Sequence, residues 1–329
     1  MKKIINGIES VEEQMILGLV KSAPTKLKKL DCGNVVVRAR KKVGKVALVS
    51  GGGSGHEPAH GGFVGEGMLD AAVAGAVFTS PTPDQIYEGI KAVATEAGVL
   101  CVVKNYTGDV MNFEMAMDMA KDEDIKVDYV VVNDDVAVKD SLYTTGRRGV
   151  AGTILVHKIA GAKAEEGAAL AAVKETAEKV IANVRTMGMA ISPCTVPAAG
   201  KPGFELKEDE MEIGIGIHGE PGTHREKIAK ADDIAKMLLD KVTADLDYQG
   251  AEVVVMVNGM GATPLMELYI VNNYVQDYLK EAGIKVYDTM VGNYMTSIEM
   301  AGFSVTLLKL DDELKRLYDA KADTPALVR

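Results

Sequence analysis

The chain has 329 residues, 47% of them hydrophobic, so it can bury a sizeable core and is too apolar for widespread disorder. Its formal net charge is −10, Trp is absent and no basic stretch is interleaved with aromatics, which argues against nucleic-acid binding. The three cysteines, Cys32, Cys101 and Cys194, are too scattered for a disulfide framework or a zinc site, and no apolar run approaches a membrane span.

The N-terminus starts with charge but lacks the apolar region of a signal peptide and meets acid by Glu9, so a soluble cytoplasmic protein is expected. Residues 9 to 22 carry apolar side chains at helical spacing. Lys45–Val49 is apolar and reads as a buried strand, followed by the glycine-rich stretch Gly51-Gly52-Gly53-Ser54-Gly55-His56-Glu57-Pro58. That stretch reads as a loop whose glycines present bare N–H groups to a small polar ligand rather than serving packing. Ala59–Gly67 suggests a short helix, and Met68–Phe78 a strand of small residues. Ser80-Pro81-Thr82-Pro83-Asp84 opens a helix with Pro in its first turn. Gly98–Lys104 is the next strand, with the turn Asn105–Asp109 behind it. A Met-rich helix over Val110–Ala120 follows, then a strand over Val127–Val132. Helices follow from Gly146-Arg147-Arg148-Gly149 to Ile159 and from Glu165 to Val184. This recurring strand, glycine turn and helix predicts an α/β fold with mixed or mostly parallel sheets flanked by helices.

The Pro/Gly-rich run Ser192–Gly203 breaks the pattern and places a domain boundary near it, giving domains 1–186 and 187–329. In the second half, Glu212–His218 alternates and reads as a strand with Ile213, Ile215 and Ile217 on one face and Gly214, Gly216 and His218 on the other. A charged helix spans about Glu226–Lys241. Val253–Val257 is a strand entering a glycine turn and a helix. Ile284–Met290 and Phe303–Leu308 read as strands, and Asp311-Asp312-Glu313 opens a last short helix.

The glycine stretch fits neither nucleotide fingerprint: no Lys follows for a P-loop, and Gly-x-Gly-x-x-Gly meets His56 or Pro58 at its last position. His218 is a base, a ligand or a nucleophile, or else a histidine packed at an ordinary strand end. Asp109 reads first as a helix N-cap and second as a general base. Lys104 is a solvated charge or a head group over the same mouth. Arg147 and Arg148 read as partners of local acids, Asp134, Asp135 and Asp140, ahead of an anion site. His60, His157 and His224 lack metal-ligand spacing, with His157 structural. Met111, Met115 and Met119 share a helical stripe and are assigned to the core.

With these motifs in view, the chain resembles the K subunits of bacterial dihydroxyacetone kinases. The likeness rests on Gly51–Pro58, Lys104–Asp109 and Gly216–Gly222. It extends to Phe78–Asp84, Val136–Tyr143, Cys194–Pro202 and Gly261–Leu265, and it covers essentially the whole chain. The resemblance implies two α/β domains and a homodimer. It implies that His218 attacks the ketone of dihydroxyacetone and holds it as a hemiaminal, that Gly53, Ser54, Gly55, His56, Lys104 and Asp109 bind the triose, and that His56 and Asp109 form the acid/base pair. No nucleotide motif is present, so it implies no cofactor in this subunit. A separate L subunit carrying ADP with magnesium would donate the phosphoryl group, and an M subunit would recharge it from phosphoenolpyruvate. The stretch between His218 and Val253 looks shorter than in some relatives, which touches partner docking rather than catalysis. The rival reading is a triose-sensing co-activator acting on a transcription regulator, which could dispense with the acid/base pair. Both His56 and Asp109 are present here, which favours the enzyme.

Overall fold

A computed structural model describes residues 2–139 and 144–329, so Asp140 and the end of the Val136–Tyr143 stretch lie outside the described residues. The strands fall into two six-stranded sheets. The first is built from β1 (Leu27–Lys29), β2 (Val35–Arg38), β3 (Ala47–Ser54), β4 (Ala71–Val77), β5 (Val99–Lys104) and β6 (Val127–Val132), in the order β1-β2-β4-β3-β5-β6. The pairs β4/β3, β3/β5 and β5/β6 are parallel, while β1/β2 and β2/β4 are antiparallel. The second sheet runs β11-β10-β12-β7-β8-β9, from β7 (Val184–Ala190), β8 (Glu210–Ile213), β9 (His224–Lys227), β10 (Glu252–Gly259), β11 (Lys285–Gly292) and β12 (Gly302–Leu310). Only β10/β11 is parallel there, so both sheets are mixed.

The helices sort by which strand positions they cover. On β5, Val99, Cys101 and Val103 pack with α2 (Pro83–Val93) and α3 (Thr107–Asp122), while Leu100 and Val102 face the opposite layer. That layer holds α4 (Thr153–Glu165), α5 (Leu170–Asn183) and α8 (Asp312–Asp319), and it also receives Val254, Met256 and Leu308 of the second sheet. Val253, Val255 and Val257 turn outward to α6 (Ala231–Asp245) and α7 (Leu265–Glu281). The alternation of each strand thus feeds two cores, and α4 is buried along almost its whole length because a sheet lies on either side of it. The N-terminal helix α1 (Val11–Ser22) packs beside β1 and β4. Among the described residues no helix is long and apolar enough to cross a membrane.

Several sequence expectations fail. The glycine stretch is not a loop: β3 runs through Gly51, Gly52 and Gly53 to Ser54, all buried. Its glycines do serve packing, because a Cβ on Gly53 would lie 2.6 Å from the Thr79 nitrogen and 2.7 Å from the Phe78 backbone. The strand predicted over Glu212–His218 stops at Ile213, where Gly214 turns left-handed at φ +75°. Ile213, Ile215 and Ile217 then enter three different clusters instead of one face. The methionine stripe is outside the core: Met111, Met115 and Met119 are 55%, 56% and 39% exposed. Periodicity puts the three on one side of α3, but Phe113, Ala116, Met117 and Ala120 form a second apolar side, and that one meets the sheet.

Candidate functional site

The parallel strands β3 and β5 end side by side, and the crevice beyond such carboxyl ends is where open α/β sheets hold ligands. Here a cavity of about 610 Å³ is lined by Gly53, Phe78, Thr79, Ser80, Tyr106, Thr107, Gly108, Asp109 and His218. Gly53 lets the Phe78–Thr79 backbone press against the strand. Phe78 holds a left-handed φ of 58°, the kind of strain that concentrates at functional sites.

His218 reaches this cavity from the turn after Gly214 rather than from a strand end. Gly216 N–H donates to the Glu220 carbonyl at 3.2 Å, and Gly219 N–H to the Gly216 carbonyl at 3.2 Å. The fold brings the carboxylate of Glu220 back under the ring. His218 Nδ1 lies 3.0 Å from Glu220 Oε1, and the His218 N–H donates to Oε2 at 3.0 Å. Burial alone would raise the Glu220 carboxyl, but His218 and Arg148 beside it bring it down to about 2. The carboxylate is therefore ionised and accepts from Nδ1, which turns Nε2 of His218 toward the cavity.

His56 stands behind it, fully buried. Its ring stacks on Phe78 at 5.2 Å and 17° and meets His218 edge-on at 4.7 Å and 72°. A carbonyl oxygen only accepts, so the 2.8 Å contact with Thr296 O fixes the His56 proton on Nδ1. The two Nε2 atoms are 3.0 Å apart. With both Nδ1 atoms committed as donors, that contact needs one proton between the rings. Burial, then Lys104, then His218 hold the His56 imidazole well below its ordinary value, so that ring gives up a second proton readily.

Lys104, at the end of β5, is fully buried, so its reading as a solvated charge fails. Its Nζ has no hydrogen-bond partner among the described residues, lies 3.9 Å from Asp109 Oδ2 and sits 5.3 Å above the Tyr106 ring. Burial lowers this ammonium, against Asp109 and Glu220, which favour its charge. A buried ammonium with no hydrogen bond is costly unless a ligand meets it. Asp109 is the third residue of α3, not its cap; the N-cap position is Tyr106, and the Asp109 carboxylate instead accepts from the Ser80 hydroxyl through Oδ1. Oδ2 remains for a ligand.

Of the residues singled out from sequence, Gly53, Asp109 and His218 line the cavity, with His56 and Lys104 touching that group from behind. Ser54 and Gly55 are turned into the fold: Ser54 Oγ donates to Gly75 O at 2.7 Å, and Gly55 N–H to Glu57 Oε2 at 3.1 Å. Arg148 pairs with the local acid Asp135 as expected, Nε to Oδ2 at 2.8 Å, whereas Arg147 reaches the distant Asp245 at 2.7 Å instead of a local acid. His157 is buried on α4 against His60, Nε2 to Nδ1 at 3.0 Å, and burial with the charge of Lys104 takes it down to about 3, a neutral structural imidazole. Sequence reasoning gave no role to Phe78, Ser80, Tyr106 or Thr296. Ser80 lay inside a helix-entry pattern and Phe78 at the end of a strand of small residues, which masked them, and Thr296 acts through a backbone oxygen that any residue carries.

The Dak1 domain family matches residues 17–326 of this chain. The chain is 62% identical over 314 residues to the "PTS-dependent dihydroxyacetone kinase 1, dihydroxyacetone-binding subunit DhaK" of Listeria innocua, covering 95% of each. It is 45% identical to the PEP-dependent dihydroxyacetone-binding subunit DhaK of Escherichia coli, covering 99% of each. A solved structure described as the dihydroxyacetone kinase operon co-activator Dha-DhaQ superposes with a TM-score of 0.90 at 38% identity, covering 95% of this chain and 97% of that one.

Proposed function

The chain belongs to the Dak1 domain family, and from that premise we propose that it is the dihydroxyacetone-binding, catalytic subunit of a multi-subunit dihydroxyacetone kinase. The observation that carries this reading is the His218 ring: its Nδ1 is tied to an ionised Glu220 and its Nε2 faces both the cavity and His56.

Nε2 of His218 is the nucleophile. Once the shared proton sits on His56, the Nε2 lone pair attacks C2 of the triose. The C–N bond forms, the carbonyl π pair moves to oxygen, and that oxygen takes the proton from His56 Nε2 to give the hemiaminal hydroxyl. The positive charge left on the His218 ring is balanced by Glu220. Glycerol has no carbonyl and is refused at this step. Lys104 holds the triose oxygens. Asp109 Oδ2, with Oδ1 fixed by Ser80, accepts the proton of a terminal hydroxyl as that oxygen attacks the incoming phosphorus. The bond from phosphorus to the donor breaks in the same exchange. Catalysis here is positioning and charge, as phosphoryl transfer requires. Ser54 and Gly55 support the pocket wall through their backbone. The donor is a separate subunit carrying ADP with magnesium and recharged from phosphoenolpyruvate, and the working form is a homodimer.

The test is reconstitution. Alone with ATP and dihydroxyacetone the protein is expected to be inert, and donor subunits restore turnover. His218→Ala loses the triose adduct by mass spectrometry. Asp109→Asn keeps the adduct and loses transfer. Robust turnover without partners, or an adduct that survives His218→Ala, refutes the reading.

A second reading, a triose-sensing co-activator of a transcription regulator, is supported by the likeness to the operon co-activator structure. It needs capture but no transfer, so no phosphorylation in a complete donor system would favour it.

A further inference from the structure

The helix α3 carries an apolar side that the fold leaves uncovered. Phe113, Ala116, Met117 and Ala120 fill its sheet side, while Met111, Met115 and Met119 are exposed. Exposed apolar residues scattered singly need no explanation, but three in one row on one helix do. Taken in steps of four, the row runs Thr107, Met111, Met115, Met119, about 18 Å of helix. Thr107 is itself exposed and lies on the wall of the triose cavity, as does Gly108. The methionine ridge therefore starts at the mouth of the pocket and leads outward from it.

The ridge is tied firmly to the chemistry. Ser80 donates to Asp109 in the first turn of α3, and Asn112 Nδ2 donates to Pro81 O at 2.8 Å in the second. The next row of the helix, Glu114, Asp118 and Asp122, is exposed and acidic. Glu114 Oε1 accepts from the Tyr129 hydroxyl at 2.9 Å, and Lys121 beside the row donates to Asp118 Oδ1 at 3.0 Å. A phosphoryl group delivered to the triose beside Asp109 enters through this mouth, because His56 and Lys104 close the site from behind. The protein that delivers it must cover the surface around Thr107 and Gly108, and Met111 is the next residue outward on that ridge. Such a donor also has to leave to be recharged. Methionine suits a contact made and broken repeatedly, since its flexible thioether chain repacks easily, and it is enriched at protein interfaces.

We propose that the Met111, Met115 and Met119 ridge of α3, with the acidic row Glu114, Asp118 and Asp122 beside it, is the docking rail of the phosphoryl-donor subunit. The proposal rests on the kinase reading above. The donor presents an apolar helix groove that takes the ridge, flanked by Lys or Arg that meet the acids. Docking on a helix that also bears Asp109 fixes the distance between the donor phosphorus and the triose hydroxyl.

The test titrates the ADP-carrying donor subunit, kept recharged, against the full chain at saturating dihydroxyacetone, with triose capture read separately by carbon-13 NMR. Met115→Glu is expected to raise the donor concentration for half-maximal turnover roughly tenfold or more, and the uncharged pair Met111→Gln with Met115→Gln about tenfold, each with capture unchanged. Asp118→Asn with Asp122→Asn raises it about threefold at low salt and loses that effect at high salt. Val43→Glu, an equally exposed apolar site before the amino end of β3, changes nothing. If the parent turns over and the methionine variants need no more than about twofold more donor, the docking proposal is overturned and the kinase reading stands. The proposal also fails if Met115→Glu loses triose capture, because the ridge would then support the pocket. It fails again if Met115→Glu changes the sedimentation of the chain alone, because the face would then join two copies. A parent that no donor subunit can drive overturns the kinase reading and the docking rail together.

Discussion

Replacing Glu220 with Gln removes a charge while keeping a group that can still accept from His218 Nδ1. Glu220 stands at about 2 where an ordinary glutamate stands at 4.5. At about 1.4 kcal/mol per tenfold change, its surroundings favour the carboxylate by on the order of 3 kcal/mol. That preference is shared between His218 and Arg148, so the part felt by a positive His218 ring is about 1–2 kcal/mol. Capture places positive charge on that ring, and Glu220→Gln is therefore expected to weaken hemiaminal formation roughly five- to thirtyfold. The assay is carbon-13 NMR with dihydroxyacetone labelled at C2, where capture converts a ketone signal into a tetrahedral one. Glu220→Asp, which restores charge at shorter reach, recovers part of the loss. A Glu220→Gln protein that captures triose within about twofold of the parent across the neutral pH range would show that the carboxylate does no more than shape the turn.

Two further outcomes follow from packing and charge. A Cβ on Gly216 would lie 1.9 Å from Glu220 Oε2 and 2.6 Å from an Arg148 terminal nitrogen. Gly216→Ala should therefore displace the carboxylate and weaken capture as Glu220→Gln does, though it touches no substrate. In the same NMR assay the double variant should lose no more than either single one, and full additivity would count against the shared cause. Glu165 is raised by burial, but Lys42, Lys45 and Arg38 more than reverse that and bring it to about 2. A carboxyl depressed on folding stabilises above its unfolded value and loses that contribution as pH falls from about 4.5 toward 2. Glu165→Gln should cost about 1–2 kcal/mol at neutral pH, since solvent screens its partly exposed pair with Lys42, and flatten the acid limb of stability, measured by urea titrations across that range. Parallel acid limbs for the two proteins would refute it.

Local pattern carried the fold class and most element positions. Val127–Val132 is a strand with the bounds read from its apolar run, and Asp311 caps α8, accepting from Leu314 N–H at 2.9 Å, because an acid before an amphipathic turn has few other uses. His56, Lys104, Asp109 and His218 were legible as reactive side chains beside glycine turns. Their roles were less so. The N-cap reading of Asp109 failed because Ser80, 29 residues earlier in the chain, claims its carboxylate.

By itself the chain's order of residues determined which stretches extend, which coil, and which side chains carry chemistry, since these follow from neighbours a few positions apart. Only the tertiary structure decided what depends on distant partners. It chose which apolar side of α3 is buried. It also turned Gly51–Ser54 from an apparent loop into a strand thin enough for the Phe78 backbone to press on. Above all it set His56 and His218, 162 residues apart, with their Nε2 atoms 3.0 Å from one another. Each ring's free nitrogen is defined by what holds the other one, Thr296 O in one case and Glu220 in the other, and no periodicity in either segment encodes that pairing.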